Sequence, residues 1–361
     1  MIPLRALRFL NYKLILITFF LLGIGVAFIY SATQSSGTSF LYRQLIWIGI
    51  GMIIFWMMLN VDFRLLGSMT YLLYLFSLIT LVMVLFFGDL RKGSQSWFEL
   101  GPLSFQPAEL AKLGVVFILA RYLSERSEDR TKFRYIFFAL ILTGLPMGLI
   151  ILQPDLGTSL VLIPVLFGML FVAGARMRYL LGIIGLGVAA LPVFWSFLHE
   201  YQRLRILIFI NPNLDPLGAG YNAIQSKIAV GSGGLLGKGW LEGTQSQLRF
   251  LPERHTDFIF SVLGEEWGFV GCAVVLLAYV LLVLAGLRIA GESKDLFGRL
   301  LAVGFVLLIA SHVIINTGMT VGVMPITGIP LPLLSYGGSH LIMMMACLGL
   351  LENIHLRKTM F

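Results

Sequence analysis

LPERHTDFIFSVLGEEWGFVG (251–271) sets Glu253, Arg254, His255 and Asp257 directly before a long apolar run, which then carries Glu265 and Glu266 in its first turns. The fold turns on whether this run is a soluble core helix or a membrane span. Across 361 residues, 58% are hydrophobic and only 12% are charged. Apolar stretches of about 20 residues recur along the chain, which excludes an ordinary soluble domain. Runs near 14–32, 44–60, 65–87, 107–123, 135–152, 158–174, 178–198, 258–287, 300–318 and 338–354 predict ten transmembrane helices. The expected fold is an all-α polytopic membrane protein, with 1–361 forming one integral membrane domain. The runs at 44–60 and 158–174 are near the lower limit for crossing a hydrocarbon core of ~30 Å.

The net charge of +8 does not point to nucleic acid, because the basic residues are scattered between apolar runs instead of forming one patch. They report topology. One set of loops holds Arg5, Arg8, Lys13, Arg64, Arg121, Arg126, Arg130, Lys132, Arg134, Arg176, Arg178, Arg288, Lys294, Arg299, Arg357 and Lys358. The short loops of the other side hold Arg43, Arg91 and Lys92. This asymmetry places both termini in the cytoplasm. Arg5, Arg8 and Lys13 before an apolar run resemble a secretory signal, with small residues in YSAT at 30–33, but the run is longer than a signal core and reads as a retained first span. Cys272 and Cys347 both fall inside predicted spans and read as packing residues.

Polar length is unevenly shared, with outer loops at 88–106, 199–257 and 319–337. Function is therefore expected on the outer face. The longest loop, between helices 7 and 8, has an apolar stretch at 204–210 and a helical pattern at 221–230 with Ile224, Ile228 and Ala229 on one side. Such a segment packs on the spans or lies on the membrane surface. Gly231, Gly233, Gly234, Gly237, Gly239 and Gly243 supply tight turns and close backbone approach, without the pattern of a phosphate-binding loop.

Ionisable groups at membrane depth cost roughly 2.5–3.5 kcal/mol each at a helix centre. In FQPAELAKLGVVF, Pro107 suits a first helical turn, and Glu109 and Lys112 share a face. They either neutralise each other or present a cation to an anionic headgroup. In ILQPDLGTSL, Asp155 either caps a helix or faces the outer cavity. Arg43 in LYRQL either snorkels to the interface or binds phosphate.

Pro252 breaks the chain ahead of Asp257, so a helix is expected to start near 256 with Asp257 in its first turn, where the helix dipole favours a carboxylate. A partly buried carboxylate beside apolar surface is also suited to general-base chemistry. Glu265 would lie about 12 Å along the axis from Asp257, too far for a glycosidase pair. His255 and Asp257 are an alternative pair of ligands for a divalent ion, although no second ligand pair has metal-site spacing. MPITGIPLPLLSYGGSH, at 324–340, is rich in Pro and Gly at membrane depth, which is tolerated where backbone lines a cavity, and Asn316 and Ser335 are candidates to line it.

QPAELAKL, QPDLGTSL, GLLGKGW, GTQSQ, LPERHTDFIF and PLLSYGGS occur in an order that resembles the shape, elongation, division and sporulation family over essentially the whole chain. GTQSQ and PERHTDF are more similar to its rod-elongation branch than to its division branch. His340 departs from the pattern, standing where a small hydroxyl residue is expected. The resemblance implies a ten-helix bundle in the bacterial cytoplasmic membrane that polymerises peptidoglycan glycan strands from lipid II. It also implies a class B penicillin-binding protein and other elongation-complex membrane proteins as partners. The resemblance further implies that the aspartate of HTDF, here Asp257, is essential. On this reading Asp257 deprotonates the acceptor hydroxyl, while Arg43, Lys112, Arg205 and Arg254 offset charge on the departing pyrophosphate, with Glu109, Asp155, Glu253 and Ser335 completing the substrate site. The cofactor is left open, a divalent cation such as Mg²⁺ or Mn²⁺ being one candidate. A lipid II flippase and a non-catalytic scaffold are the alternatives. Flipping calls for charges through to the cytoplasmic side, whereas these collect near the outer face.

Overall fold

The computed structural model describes residues 8–34, 37, 39–91, 94–100, 103–197, 200–218 and 220–360. Arg5 and Lys92 of the charge asymmetry lie outside the described residues. Helix α1 (Tyr12–Thr33) is followed by α2 (Ser39–Asn60), the short α3 (Phe63–Ser68) and α4 (Thr70–Phe87). Strands β1 (Asp89–Arg91), β2 (Ser94–Leu100) and β3 (Leu103–Phe105) come next, then α5 (Pro107–Glu125), α6 (Phe133–Leu152), α7 (Leu156–Val172) and α8 (Met177–Phe197). The long loop contains α9 (Glu200–Ile210), α10 (Tyr221–Ser232) and α11 (Thr244–Gln247), and the chain ends in α12 (Ile259–Glu292), α13 (Leu296–Val321) and α14 (Gly338–Met360).

Seven of these helices, α1, α2, α4, α6, α12, α13 and α14, are long and apolar enough to cross a membrane. Their outward residues are large and apolar, as on Phe86, Phe87 and Leu152, which suits hydrocarbon and not water. The protein is a multi-pass membrane protein. Helix α13 is the hub, packing against α12, α7, α5 and α14, while α2 lies along α14. Close approach comes from small residues: a Cβ on Gly304 would fall 2.4 Å from Val116 of α5, and one on Gly349 would fall 2.6 Å from the Phe55 carbonyl of α2.

Segment 88–106 holds, among its described residues, an antiparallel three-stranded sheet in the order β1-β2-β3, which its reading as a plain loop missed. Trp97 pairs with Asp89 and Phe98 with Phe105. The Ser339 hydroxyl of α14 donates to the Ser104 carbonyl at 2.8 Å and ties the sheet to the bundle.

Helix α10 confirms the helical pattern at 221–230, but with a different buried face. Ala223, Ser226 and Ala229 face inward, whereas Ile228 is exposed. The reason is proximity: Ser226 Oγ lies 2.8 Å from Ser261 Oγ of α12 and donates to the Thr320 carbonyl of α13 at 2.7 Å, which only small side chains allow.

The glycine run after α10 has a backbone purpose. Helix α12 is kinked at Gly268, whose φ of +63° interrupts its hydrogen-bond ladder. The 234–239 strand of loop takes up the freed groups. Phe269 and Val270 N–H donate to the carbonyls of Gly234 and Leu235, and the carbonyls of Glu265 and Glu266 accept from Lys238 and Gly239. A Cβ on Gly237 would fall 2.0 Å from the Glu266 carbonyl oxygen, at a φ of +82°. Gly237→Ala is expected to destabilise the protein by about 1–3 kcal/mol from the backbone conformation alone. A lowered melting temperature in detergent checks this, and an unchanged one would mean the loop is not seated in the kink.

Candidate functional site

The opening stretch does not begin as a helix. Glu253 adopts a left-handed φ of +50°. Its carbonyl accepts the N–H groups of Thr256 (3.1 Å) and Phe258 (3.3 Å) and winds 253–258 into a tight turn. Helix α12 therefore opens at Ile259, which corrects the expected start near 256. Asp257 lies in the turn ahead of the helix and not in its first turn.

Three neighbours clamp this turn. Asn316 Nδ2, from α13, donates to the Asp257 carbonyl at 2.9 Å and to the Ile329 carbonyl at 2.7 Å. Ser335 Oγ donates to the Thr256 carbonyl at 2.6 Å and accepts the Leu331 N–H at 2.8 Å. Tyr336 N–H donates to the His255 carbonyl at 2.9 Å. The Pro- and Gly-rich segment after α13 thus satisfies its own backbone by holding Asp257 in place, with Asp257 Oδ2 3.4 Å from the position a Cβ on Gly328 would take. Ser335 and Asn316, candidates for lining a cavity, instead fix the backbone. Ser335→Ala leaves a buried N–H and a buried carbonyl short of a partner, an expected loss of about 1–3 kcal/mol in a denaturation midpoint. A midpoint matching wild type would show that the turn holds without this hydroxyl.

The other charges of the turn point in separate directions. Arg254 is only 8% exposed, and its Nε donates at 2.5 Å to the Ala32 carbonyl near the end of α1. Glu253 Oε2 accepts from Thr256 Oγ1 at 3.1 Å. The His255 ring sits 4.6 Å from that of Phe40 and 5.6 Å from that of Tyr336. Glu265 is fully buried and accepts from Lys238 Nζ (2.7 Å), Thr244 Oγ1 (3.1 Å) and the N–H of Gln245 (2.9 Å) at the start of α11. Glu266 accepts from the Ser31 hydroxyl. These two carboxylates moor the long loop and α1 to α12.

A second group lies inside the bundle. Lys112 Nζ is 2.9 Å from Glu109 Oε1 and 2.9 Å from His312 Nε2, and is 1% exposed. His312 Nδ1 donates to the Leu308 carbonyl at 2.8 Å, which leaves Nε2 as the acceptor for the ammonium. His340 Nδ1 contacts Glu109 Oε2 at 3.3 Å, and the two imidazoles lie 4.8 Å apart. Of the two readings of this pair, the contacts match mutual neutralisation: a carboxylate and an imidazole share the buried ammonium. His312 was missed, although a histidine in the middle of an apolar span is itself a signal.

Asp155 caps α7, accepting from Thr158 N–H (3.0 Å), Thr158 Oγ1 (2.8 Å) and Gln106 Nε2 (3.2 Å). The Thr327 carbonyl comes so close that a Cβ on Gly157 would fall 2.4 Å from it, which sets this cap beside the segment that holds Asp257. Arg43 is exposed on α2, beside Gln44, whose Oε1 accepts from Gly337 N–H at 3.4 Å. Arg205 is exposed on α9 and lines a small cleft with Lys227, Phe209 and Met324.

Among the described residues, one group offers metal-ligating atoms within 4.8 Å of one another: Glu109, His312 and His340. Two imidazoles and one carboxylate do not suit Mg²⁺, which seeks oxygen ligands, and the Lys112 ammonium already fills the centre. The donor set does not fit a resident Mg²⁺.

A tight turn with a clamped backbone, set on a bundle of apolar helices with an ion-pair network inside, defines a multi-pass membrane protein with a candidate site ahead of α12. The sequence model of the FtsW, RodA and SpoVE family, described as cell cycle protein, matches residues 12–360. The chain belongs to this family, in agreement with the ordered motifs. It is 47% identical over 321 residues, covering 88% of this chain and 86% of the other, to the peptidoglycan glycosyltransferase MrdB of Escherichia coli K12. It is similar to a chain of a peptidoglycan synthase complex solved in a study of how polymerization and crosslinking are coordinated, with a TM-score of 0.84, 38% identity and coverage of 97% and 98%. It is also similar to the rod shape determining protein RodA of Thermus thermophilus, with a TM-score of 0.72, 35% identity and coverage of 96% of each chain.

Proposed function

We propose that this chain is a peptidoglycan glycosyltransferase of the bacterial cytoplasmic membrane that extends glycan strands from lipid II, in cell elongation and rod-shape maintenance. The observation that carries the activity is its 47% identity, over nearly its full length, to a peptidoglycan glycosyltransferase. The seven long apolar helices, together with α5, α7 and α8, make ten spans with both termini in the cytoplasm and the 199–257 loop outside. Helix α7 spans only 17 residues, and α5 carries Glu109, Lys112, Arg121 and Glu125, which sets these two apart from the seven.

In this reaction the 4-hydroxyl of one lipid-linked disaccharide attacks C1 of another. A C1–O bond forms, the bond from C1 to the pyrophosphate oxygen breaks with inversion, and undecaprenyl pyrophosphate leaves. Asp257 takes the hydroxyl proton, and what supports this role is a carboxylate whose backbone is fixed by Asn316 and Ser335 while its side chain remains partly accessible. Arg43 and Arg205, exposed on outer elements, are the cations we assign to the departing pyrophosphate. Arg254, Glu253 and Asp155 shape the turn and its surroundings, and the Glu109–Lys112 pair supports the bundle from within.

Peptide crosslinking falls to a partner, a class B penicillin-binding protein, in line with the synthase complex to which the chain is similar. Purified chain incubated with lipid II in detergent, alone and with that partner, tests the reading. Glycan polymer is expected from both, with faster turnover from the pair. Absence of polymer in both would refute it, and equal turnover would remove activation by the partner.

A further inference from the structure

Away from the site just described, a cleft of about 160 Å³ opens between the end of α5 and the start of α6. Arg126, Lys132 and Arg134 face it, and Asp129 is the only acid in its lining. That acid is already bound to Lys132 at 2.6 Å, and the nearby Glu125 is bound to Arg121 at 2.5 Å. Arg126 and Arg134 have no carboxylate partner among the described residues, and the Arg134 guanidinium rests 5.5 Å from the Phe138 ring centre. The floor is rigid. The Tyr122 and Tyr135 rings stack at 5.7 Å, and the Tyr135 hydroxyl donates to the Leu123 carbonyl at 2.9 Å.

The cleft continues into an apolar stripe. Arg134, Phe138, Ile141 and Leu145 follow one another at helical spacing, so they share one face of α6. Phe138 is 39% exposed, Ile141 44% and Leu145 49%. A free phosphate would use the cations and ignore the stripe. A ligand with an anionic head and acyl chains uses both.

We propose that this cleft binds one anionic phospholipid of the inner leaflet, its phosphate held by Arg126 and Arg134 and its acyl chains laid along Phe138, Ile141 and Leu145. The leaflet follows from the topology proposed above, whereas the binding itself does not depend on it. Native mass spectrometry of the purified full chain in detergent, with phosphatidylglycerol and phosphatidylcholine at equal concentration, reads the retained ratio. Wild type is expected to retain phosphatidylglycerol preferentially. The Arg126→Gln/Arg134→Gln variant is expected to lose roughly tenfold or more of that preference, in keeping with the attraction each basic residue exerts near an anionic lipid. An Arg64→Gln/Arg178→Gln variant, which removes the same charge elsewhere, is expected to keep it. Equal loss in the two variants, or none in either, would overturn the site. Displacement of the bound lipid by glycerol phosphate at millimolar concentration would also overturn it, since the site would then be one for a soluble anion. Should the first variant fail to fold, a photo-crosslinking phosphatidylglycerol applied to wild type decides: labelling within 126–145 supports the site, and labelling confined to other segments refutes it.

Discussion

Asp257→Asn is expected to leave the protein folded and inserted while lowering glycan synthesis by roughly 10²-fold or more, the lower end of what a positioned general base contributes. The amide keeps the size of the carboxylate and loses its basicity. The clamp on the turn survives the change, because Asn316 binds the backbone carbonyl of residue 257 and Ser335 binds that of Thr256. A loss of activity therefore reports chemistry and not a collapsed turn. Polymer yield per unit time, set beside a melting curve of the same preparation, separates the two. Polymer formed at nearly the wild-type rate would eliminate Asp257 as the base.

Lys112→Met is expected to cost about 3–5 kcal/mol of stability, the range for breaking a buried ion pair from one side. Methionine keeps the apolar stem but strands Glu109, which is 4% exposed, and removes the donor to His312 Nε2. Adding Glu109→Gln removes the stranded charge and is expected to recover most of the loss. Activity should follow stability in the double variant if the pair is a support inside the bundle, as its inward geometry indicates. A double variant that melts like wild type yet makes no polymer would restore the lysine to a role at the substrate headgroup.

The membrane class was legible in the sequence because apolar runs of span length have few other uses. The motif order was legible too, and the family it indicated is the one whose model matches residues 12–360. Local detail was harder to read. The start of α12 was misjudged because Glu253 takes a left-handed conformation that a non-glycine residue seldom advertises. The sheet at 89–105 was hidden in a segment read for polarity alone, although KGS (92–94) and LGP (100–102) break it into short runs of the kind turns produce. The face of α10 was read as Ile224, Ile228 and Ala229; of these Ala229 is buried, and close helix approach had selected Ala223 and Ser226 beside it. His312 and His340 join Glu109 and Lys112 only through the packing of α13 and α14 against α5, a relation that no spacing within the sequence encodes.

The central claim is that this chain makes glycan and does not merely carry lipid II. In detergent micelles there is no bilayer to cross, so transport contributes nothing to the signal. The direct measurement is release of undecaprenyl pyrophosphate from lipid II by the purified wild-type chain in micelles, with or without the penicillin-binding protein. The account predicts release that keeps pace with the appearance of polymer sensitive to lysozyme. No release in micelles, with lipid II still crossing the bilayer of vesicles containing the same protein, would contradict it.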